Sequence, residues 1–251
     1  MKEYHSNESE SKKKLKKRGI LSRVLRLFAQ ATLLSVLFLF AVLLVFRWVP
    51  LPTSSFIYKQ NSLAANAPEI YEKAAYQWVD WEKIPPHLAL AVVAAEDQRF
   101  PNHWGIDTIE LKKALAQNSR GKSAPRGAST ITQQTAKNLF LWNQRSYIRK
   151  LIEAGLGVSL EIVWPKKRIL EVYLNIAQFG DAVFGVKEAS HLLFDKKVQD
   201  LSMEESAMLA AVLPKPAISN VNDPSPALVK RQKWILKQME QLGGTDYIRK
   251  L

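Results

Sequence analysis

The chain has no cysteine and only four histidines in 251 residues. The first absence excludes disulfides and thiolate metal sites, and the second leaves too few imidazoles for a His-rich zinc cluster. Alternating Val/Ile/Thr runs are also missing, and no internal repeat is visible. What remains is a predominantly α-helical single domain behind a distinct N-terminal segment.

Positive charge and one long apolar run are what the chain does have. The net charge is +13, and residues 1–50 carry ten Lys/Arg against three Glu, leaving 26 basic against 20 acidic residues for the remainder. Such a balance suits nucleic acid, an anionic membrane or a phosphate-bearing substrate. Residues 27–46, LFAQATLLSVLFLFAVLLVF, favour the membrane, because twenty uncharged positions span about 30 Å at helical rise. A cleaved signal peptide is the rival reading, but RWVPLPTSS offers no A-x-A-like site. Lys12, Lys13, Lys14, Lys16, Lys17, Arg18, Arg23 and Arg26 precede the span and only Arg47 closely follows it. The positive-inside rule then puts residues 1–26 in the cytoplasm as a basic tail and everything beyond the span outside, with Trp48 at the interface.

Residues 47–64, containing VPLPTSS, read as a linker, and 65–251 as the outer domain. Pro86 opens a helix through HLALAVVAAED. Asp107 with Glu110 and Ser202 with Glu205 have capping-box spacing, and Ser129 is placed to cap TITQQTAKNLFL. SPALVKRQKWILKQMEQLGG starts near a proline and stops on Gly243 and Gly244. NSRGKSAPRGA, residues 118–128, has almost nothing to bury and reads as a loop between the two best motifs.

Those motifs hold the candidate chemistry. Glu96 and Asp97 end an apolar helix, with Phe100 as a wedge and His103 as either a loop support or an acid/base group. Thr130, Gln134 and Lys137 share a helix face with Gln133 on its flank, a stripe that is either solvated or a set of donors. Arg149 and Glu153 form an i,i+4 pair with Arg145 one turn earlier and Lys150 beside it, either a surface salt bridge or part of a site. Leu151, Ala154, Val158 and Leu160 are expected to turn another face of that helix inward. Inverting displacement at a sugar carbon uses two carboxyls on opposite faces of the ring, and a pyrophosphate leaving group needs cations more than a proton. Glu96, Glu153 and the basic set between them suit glycosyl transfer from a lipid pyrophosphate better than glycan hydrolysis.

These strings resemble the family 51 peptidoglycan glycosyltransferases, most closely their single-function members, over roughly residues 65–243. EDQRFPNHWG resembles the family's E-D-x-x-F-x-x-H-x-G, and RGASTITQQTAKN its G-x-S-T-I-T-Q-Q-x-x-K-N. RKLIEAGLGVSLE and KKRILEVYLN resemble R-K-x-x-E and K-x-x-I-L-E-x-Y-L-N, while FGVKEAS and LSMEESAMLAAVLPKP resemble later structural motifs. The resemblance implies a lysozyme-like, mainly α fold that polymerises lipid II into β-1,4 glycan strands and releases undecaprenyl pyrophosphate. By position, Glu96 looks like the base for the acceptor's 4-hydroxyl. Glu153 looks like the second carboxylate, acting directly or through a divalent cation such as Mg. Lys137, Arg145, Arg149 and Lys150 would bind donor phosphate, Ser129, Thr130, Gln133 and Gln134 would line the donor site, and Asp97, Phe100 and His103 would support Glu96. The implied inhibitor is moenomycin, and the implied partners are lipid II, the growing strand, the membrane and transpeptidases or other wall-synthesis proteins, with no nucleic acid.

Three departures accompany the resemblance: Pro165 stands where Ser or Asn is usual, LLFDKK at 192–197 replaces a Y-F-G-K-like string, and Ile152 precedes Glu153 where some members have lysine. No transpeptidase domain follows, so cross-linking is expected from another protein. A lytic transglycosylase or lysozyme-like hydrolase accounts for Glu96 but leaves Glu153 and the cations without work. A membrane-anchored, non-enzymatic scaffold needs neither the Ser129 stripe nor the loop.

Overall fold

The computed structural model describes residues 2–118, 128–144 and 146–251, with backbone alone for residues 2–22 and 118. Contact clustering divides the chain after Val45 into Met1–Val45 and Phe46–Leu251. The first unit is one helix, α1 (Lys2–Val45), in which Arg23–Val45 is long and apolar enough to cross a membrane. Leu27, Phe28, Leu34 and Phe38 are exposed along it, a surface that water disfavours and lipid accommodates. Thr32 and Ser35 donate their hydroxyls to the carbonyls of Phe28 and Ala31, 2.9 Å in each case, and so are satisfied without water.

The second unit contains α2 (Ser55–Asn66), α3 (Pro86–Glu96), α4 (Thr108–Asn118), α5 (Ile131–Phe140), α6 (Tyr147–Val163), α7 (Lys166–Ile176), α8 (Val186–Phe194), α9 (Met203–Val212), α10 (Pro226–Gln241) and α11 (Asp246–Arg249). The stretch read as a linker, 47–64, therefore holds most of a helix. Ser54 caps α2 by accepting from Ile57 N, and Ile57 is buried. A linker reading weighs the Pro/Ser composition ahead of it; one cap and one buried isoleucine weigh more.

Other helix ends match their sequence signals. Pro86 sits in the first turn of α3, Ser202 and Glu205 form a reciprocal capping box on α9, and Ser225 caps α10. Gly243 and Gly244, just past α10, take left-handed backbone at φ 92° and 69°. Helix α5 departs from expectation: its cap is Thr130, not Ser129. Thr130 Oγ1 accepts from Gln133 N while Gln133 Oε1 accepts from Thr130 N, leaving Ser129 outside the box.

Helix α3 is apolar on every side, with Leu88 through Ala94 all buried, as befits a central helix. It packs against α9, buried from Ser206 to Val212, and against α10 and α11, while α5 packs against α6 and α7. Helix α7 works through two faces. On one, Asn175 pairs with the backbone of Val79 like a strand partner, accepting from its N–H at 2.7 Å and donating to its carbonyl at 2.9 Å. Arg168, on the same helix, donates to the carbonyls of Phe46 and Val49 and to Glu171, while Glu171 accepts from Trp81 N. Asn175 and Glu171 thus tie down the extended chain that leads into α3, and Arg168 ties down the segment ahead of α2. Tyr173, on the other face, points toward Gln134.

The mainly α reading holds, with one addition. A small sheet of β1 (Ala75–Tyr76), β2 (Gln178–Gly180) and β3 (Val183–Phe184) has the order β1-β3-β2, parallel between β1 and β3 and antiparallel between β2 and β3. Strands of two or three residues are too short to show an alternation in sequence. Gly185, at φ 80°, follows β3 where a Cβ would come within 2.4 Å of the Asn175 carbonyl oxygen, so glycine is required there.

Replacing Asn175 by alanine strands the buried N–H and C=O of Val79. We expect Asn175→Ala to lose about 2–4 kcal/mol, read as a thermal midpoint lowered by roughly 5–15 °C in detergent-solubilised full-length protein. An unchanged midpoint would show that the Val79 pairing contributes little.

Candidate active site

Glu96 lies in the last turn of α3, at the end of a helix whose apolar residues fix it in place. Its Oε2 accepts from Gln134 Nε2 at 2.9 Å and its Oε1 from Arg231 Nη2 at 3.1 Å. Tyr173 Oη donates to Gln134 Oε1 at 3.0 Å, which turns the Gln134 amide so that its NH2 faces Glu96. Burial pushes the Tyr173 hydroxyl far above its ordinary pKa, helped by Glu96 and Asp97, so it stays a donor. Burial also raises Glu96; Gln134, Arg231 and Lys137 oppose the rise and the neighbouring Asp97 adds to it. The result is a carboxylate with raised basicity at the edge of a cleft of about 440 Å³, lined also by Ser129, Trp234 and Gln238.

Asp97, next in the chain, joins two helices. Its Oδ2 accepts from Ile131 N at the start of α5, 2.9 Å, and both of its oxygens lie 3.0 Å from His103 Nε2, which donates. Phe100 is fully buried, meets the His103 ring edge-on at 6.3 Å, and carries Lys166 Nζ 4.4 Å above its own ring. Lys166 is held in turn by Glu161, which also accepts from Thr132 Oγ1. Gly105 completes the loop at φ 74°, where a Cβ would press on the backbone of Gly157 in α6. Asp97, Phe100 and His103 thus hold the loop that follows Glu96 against α5 and Lys166.

Asp97, His103 and Asp107 bring ligand-type atoms within 4.8 Å of one another. Those atoms are already bonded: Asp97 to His103 and Ile131 N, and Asp107 to the amides of Ile109 and Glu110 and to Arg99 Nε. The carboxylates of the trio serve a hydrogen-bond array that fixes the start of α4, while His103 Nδ1 is buried without a partner among the described residues.

On the far side of Gln134, Lys137 brings α5 to a second group of charges. Arg149 Nη1 donates to Glu153 Oε2 at 2.6 Å, and Lys150 Nζ bridges Glu153 Oε1 at 2.5 Å and Ser129 Oγ at 2.8 Å. Glu153 is only 2% exposed, so the pair is buried rather than on the surface. Burial lowers the Lys137 pKa; Glu153 opposes this, Arg149 and Lys150 add to it, and Glu96 opposes it again. Lys137 therefore feels both carboxylates. Among the described residues, three cations share one carboxylate here, an excess of positive charge suited to an oxyanion.

Several expected site residues are placed otherwise. The side chains of Thr130 and Gln133 are buried in the cap of α5, where Thr130 Oγ1 also donates to the Gly105 carbonyl at 2.5 Å, although Thr130 still borders the cleft beside Glu96 and Ser129. Arg145 lies outside the described residues, as do positions 119–127 of the loop read at 118–128. The expectation for α6 is reversed in part. Leu160 is buried, but Leu151 is 76% exposed and Val158 is exposed too. The inward face is Arg149, Glu153, Gly157 and Leu160, because the ion pair meets α5, and the apolar side chains are left outside. Arg231 and Tyr173 were missed. Arg231 falls in register with Leu228, Ile235 and Met239, the buried stripe of α10, and a charge on that stripe was the available signal.

This geometry has a counterpart among known proteins. A family model described as transglycosylase matches residues 62–240. The chain belongs to the family 51 transglycosylases. A biosynthetic peptidoglycan transglycosylase of Citrobacter koseri is 52% identical over 204 residues, covering 81% of this chain and 84% of that protein. Those of Salmonella arizonae and Yersinia pseudotuberculosis are 50% and 48% identical over 204 and 208 residues, covering 81% and 83% of this chain and 84% and 86% of their own. The helical architecture is the lysozyme-like fold of this transglycosylase family.

The charge on Asp107 yields a pH test. Burial pushes its carboxyl up, but the amides of Glu110 and Ile109 and the Arg99 guanidinium together outweigh this and hold it below its usual 3.8. A folded pKa below the unfolded one means stability present above the unfolded value and lost as pH falls through the folded one. We expect Asp107→Ala to cost about 1–2 kcal/mol at neutral pH, with the difference from wild type shrinking below pH 3.8 in melts taken across pH. A pH-independent difference would rule out the ionised cap as its source.

Proposed function

We propose that this transglycosylase polymerises peptidoglycan glycan strands, transferring the lipid-pyrophosphate-linked growing strand to the 4-hydroxyl of lipid II with inversion. One observation carries the mechanism: α5 delivers Gln134 to Glu96 and, one turn later, Lys137 to the Arg149–Lys150–Glu153 cluster. Glu96 takes the proton of the acceptor hydroxyl as its oxygen attacks the donor's anomeric carbon. The bond from that carbon to the pyrophosphate oxygen breaks, and its electrons leave with undecaprenyl pyrophosphate. Lys137, Arg149 and Lys150 take up the departing charge, with Glu153 keeping the two neighbouring cations in place and Ser129 orienting Lys150. Glu96 then returns its proton to solvent. Both Glu153 oxygens are engaged by cations, a donor set that does not fit a resident divalent ion, so no step runs through one.

The same reading places the protein in the plasma membrane of a bacterium by one span, with the basic N-terminus in the cytoplasm and the catalytic domain outside. The exposed outer face of α6 supports it. Tyr147 (97% exposed), Ile148, Leu151, Ile152 and Ile162 form an apolar surface beside the donor cluster, suited to the bilayer that holds a polyprenyl tail. Cell-wall transpeptidases are the partners this reaction calls for, since its product is an uncross-linked strand.

Incubation with labelled lipid II discriminates the readings: polymer marks the synthase, shortening of pre-made glycan marks a lytic hydrolase, and neither marks a scaffold. Glu96→Gln should abolish polymer while leaving moenomycin binding near wild type, and full activity would remove Glu96 as the base. Lys137→Ala is expected to weaken donor binding roughly ten-fold or more, the loss of a charge-assisted contact of about 1.5–3 kcal/mol; an unchanged apparent affinity would refute its phosphate role. For the bilayer-facing surface, Leu151→Glu should reduce the rate in anionic vesicles far more than in detergent. Equal losses in the two media would count against it.

A further inference from the structure

Glu96 is a buried acid that has to be an anion before each transfer. Beyond its own helix it is bonded by one neutral donor, Gln134, and one cation, Arg231. The guanidinium touches the carboxylate through Nη2 alone, and its Nε is buried without a partner among the described residues. Bidentate pairing would occupy both oxygens along their best directions. The end-on contact spends one lone pair of Oε1, and Gln134 spends one of Oε2, so each oxygen keeps a position for an incoming hydroxyl. Arg231 arrives from α10, which is tied to the end of α3 a second time by Gln98 Nε2 donating to Gln238 Oε1 at 2.9 Å.

We propose that Arg231 is the positioning residue of the general base, a single-point cation that keeps Glu96 charged and aimed while leaving it free to accept the acceptor's proton. This rests on the reading of Glu96 as the base. The groups that face Glu96 are Asp97 from its own helix end, Lys137 from α5, Tyr173 from α7 and Arg231 from α10. On the other neighbours of α3, Glu204 of α9 is exposed and Glu205 is paired with Lys196; on α11, Asp246 is paired with Arg249 and Tyr247 Oη donates to the Gln98 carbonyl. Asp97 and the desolvation of the site both favour the protonated acid. Lys137 acts on Glu96 through space, and Arg231 is the cation bonded to it.

The test is the pH profile of lipid II polymerisation by full-length protein in detergent, for wild type, Arg231→Gln, Arg231→Lys and Glu96→Gln. Loss of an adjacent opposite charge raises a carboxyl by about 1–3 pH units. Arg231→Gln should therefore move the acid limb of kcat upward by about one unit or more, with much of the lost rate recovered at alkaline pH, and Arg231→Lys should return the limb toward wild type. Arg231→Met, with an unbranched stem, replaces the glutamine variant should the latter fail to fold in a thermal melt. A folded charge-removing variant whose acid limb coincides with wild type overturns the proposal, however slow the enzyme has become. Activity in Glu96→Gln would instead overturn the base assignment beneath it, whereas an inactive Glu96→Gln with an unshifted Arg231→Gln condemns the Arg231 role alone.

Discussion

The carboxylate of Asp97 joins the end of α3 to the start of α5. It accepts the first free amide of α5 and the His103 ring at once, so two helices and a loop meet on one side chain. An anion at a helix N-terminus gains from unpaired amides and from the helix dipole together. Because this joint sets where α5 begins, it also sets where each later turn of α5 points. Thr130 and Gln133 lock the cap, Gln134 reaches Glu96, and Lys137 emerges toward Glu153.

The two halves of the site solve opposite electrostatic problems. Around Glu96 the protein makes an anion uncomfortable by burial, then offsets that with one amide and one guanidinium. Around Glu153 it crowds cations, and a single carboxylate holds two of them. Positive charge in excess of its carboxylate costs folding energy, because like charges are crowded where little water reaches them. One turn of α5, from Gln134 to Lys137, lies between the two groups.

Helix α6 shows the same division of labour from outside. Its ion pair is turned inward together with Leu160 and Val163, while Ile148, Leu151, Ile152 and Ile162 are left outward, a departure from the usual amphipathic helix.

Much of this was legible in the chain alone. The long uncharged run, the cap signals of α3, α9 and α10, and the clustering of Glu96, Lys137, Arg149 and Glu153 in short motifs depend on spacing and composition, which sequence carries directly. The linker that proved to be α2, the Thr130 cap in place of Ser129, the outward turn of Leu151 and the two-residue strands depend on which neighbour each residue meets. Arg231 is the sharpest case, since it lies 135 residues from the carboxylate it contacts. Local order follows from periodicity within one helix, so the sequence by itself determined the helical class and the long apolar run, and it set Glu96 and Glu153 in their short motifs. Only the packing of α10 against α3 and of α5 against α6 decided which charges face one another, because partners on different segments of the chain, 21 residues apart for Ser129 and Lys150 and 135 for Glu96 and Arg231, are chosen by the burial of whole helix faces.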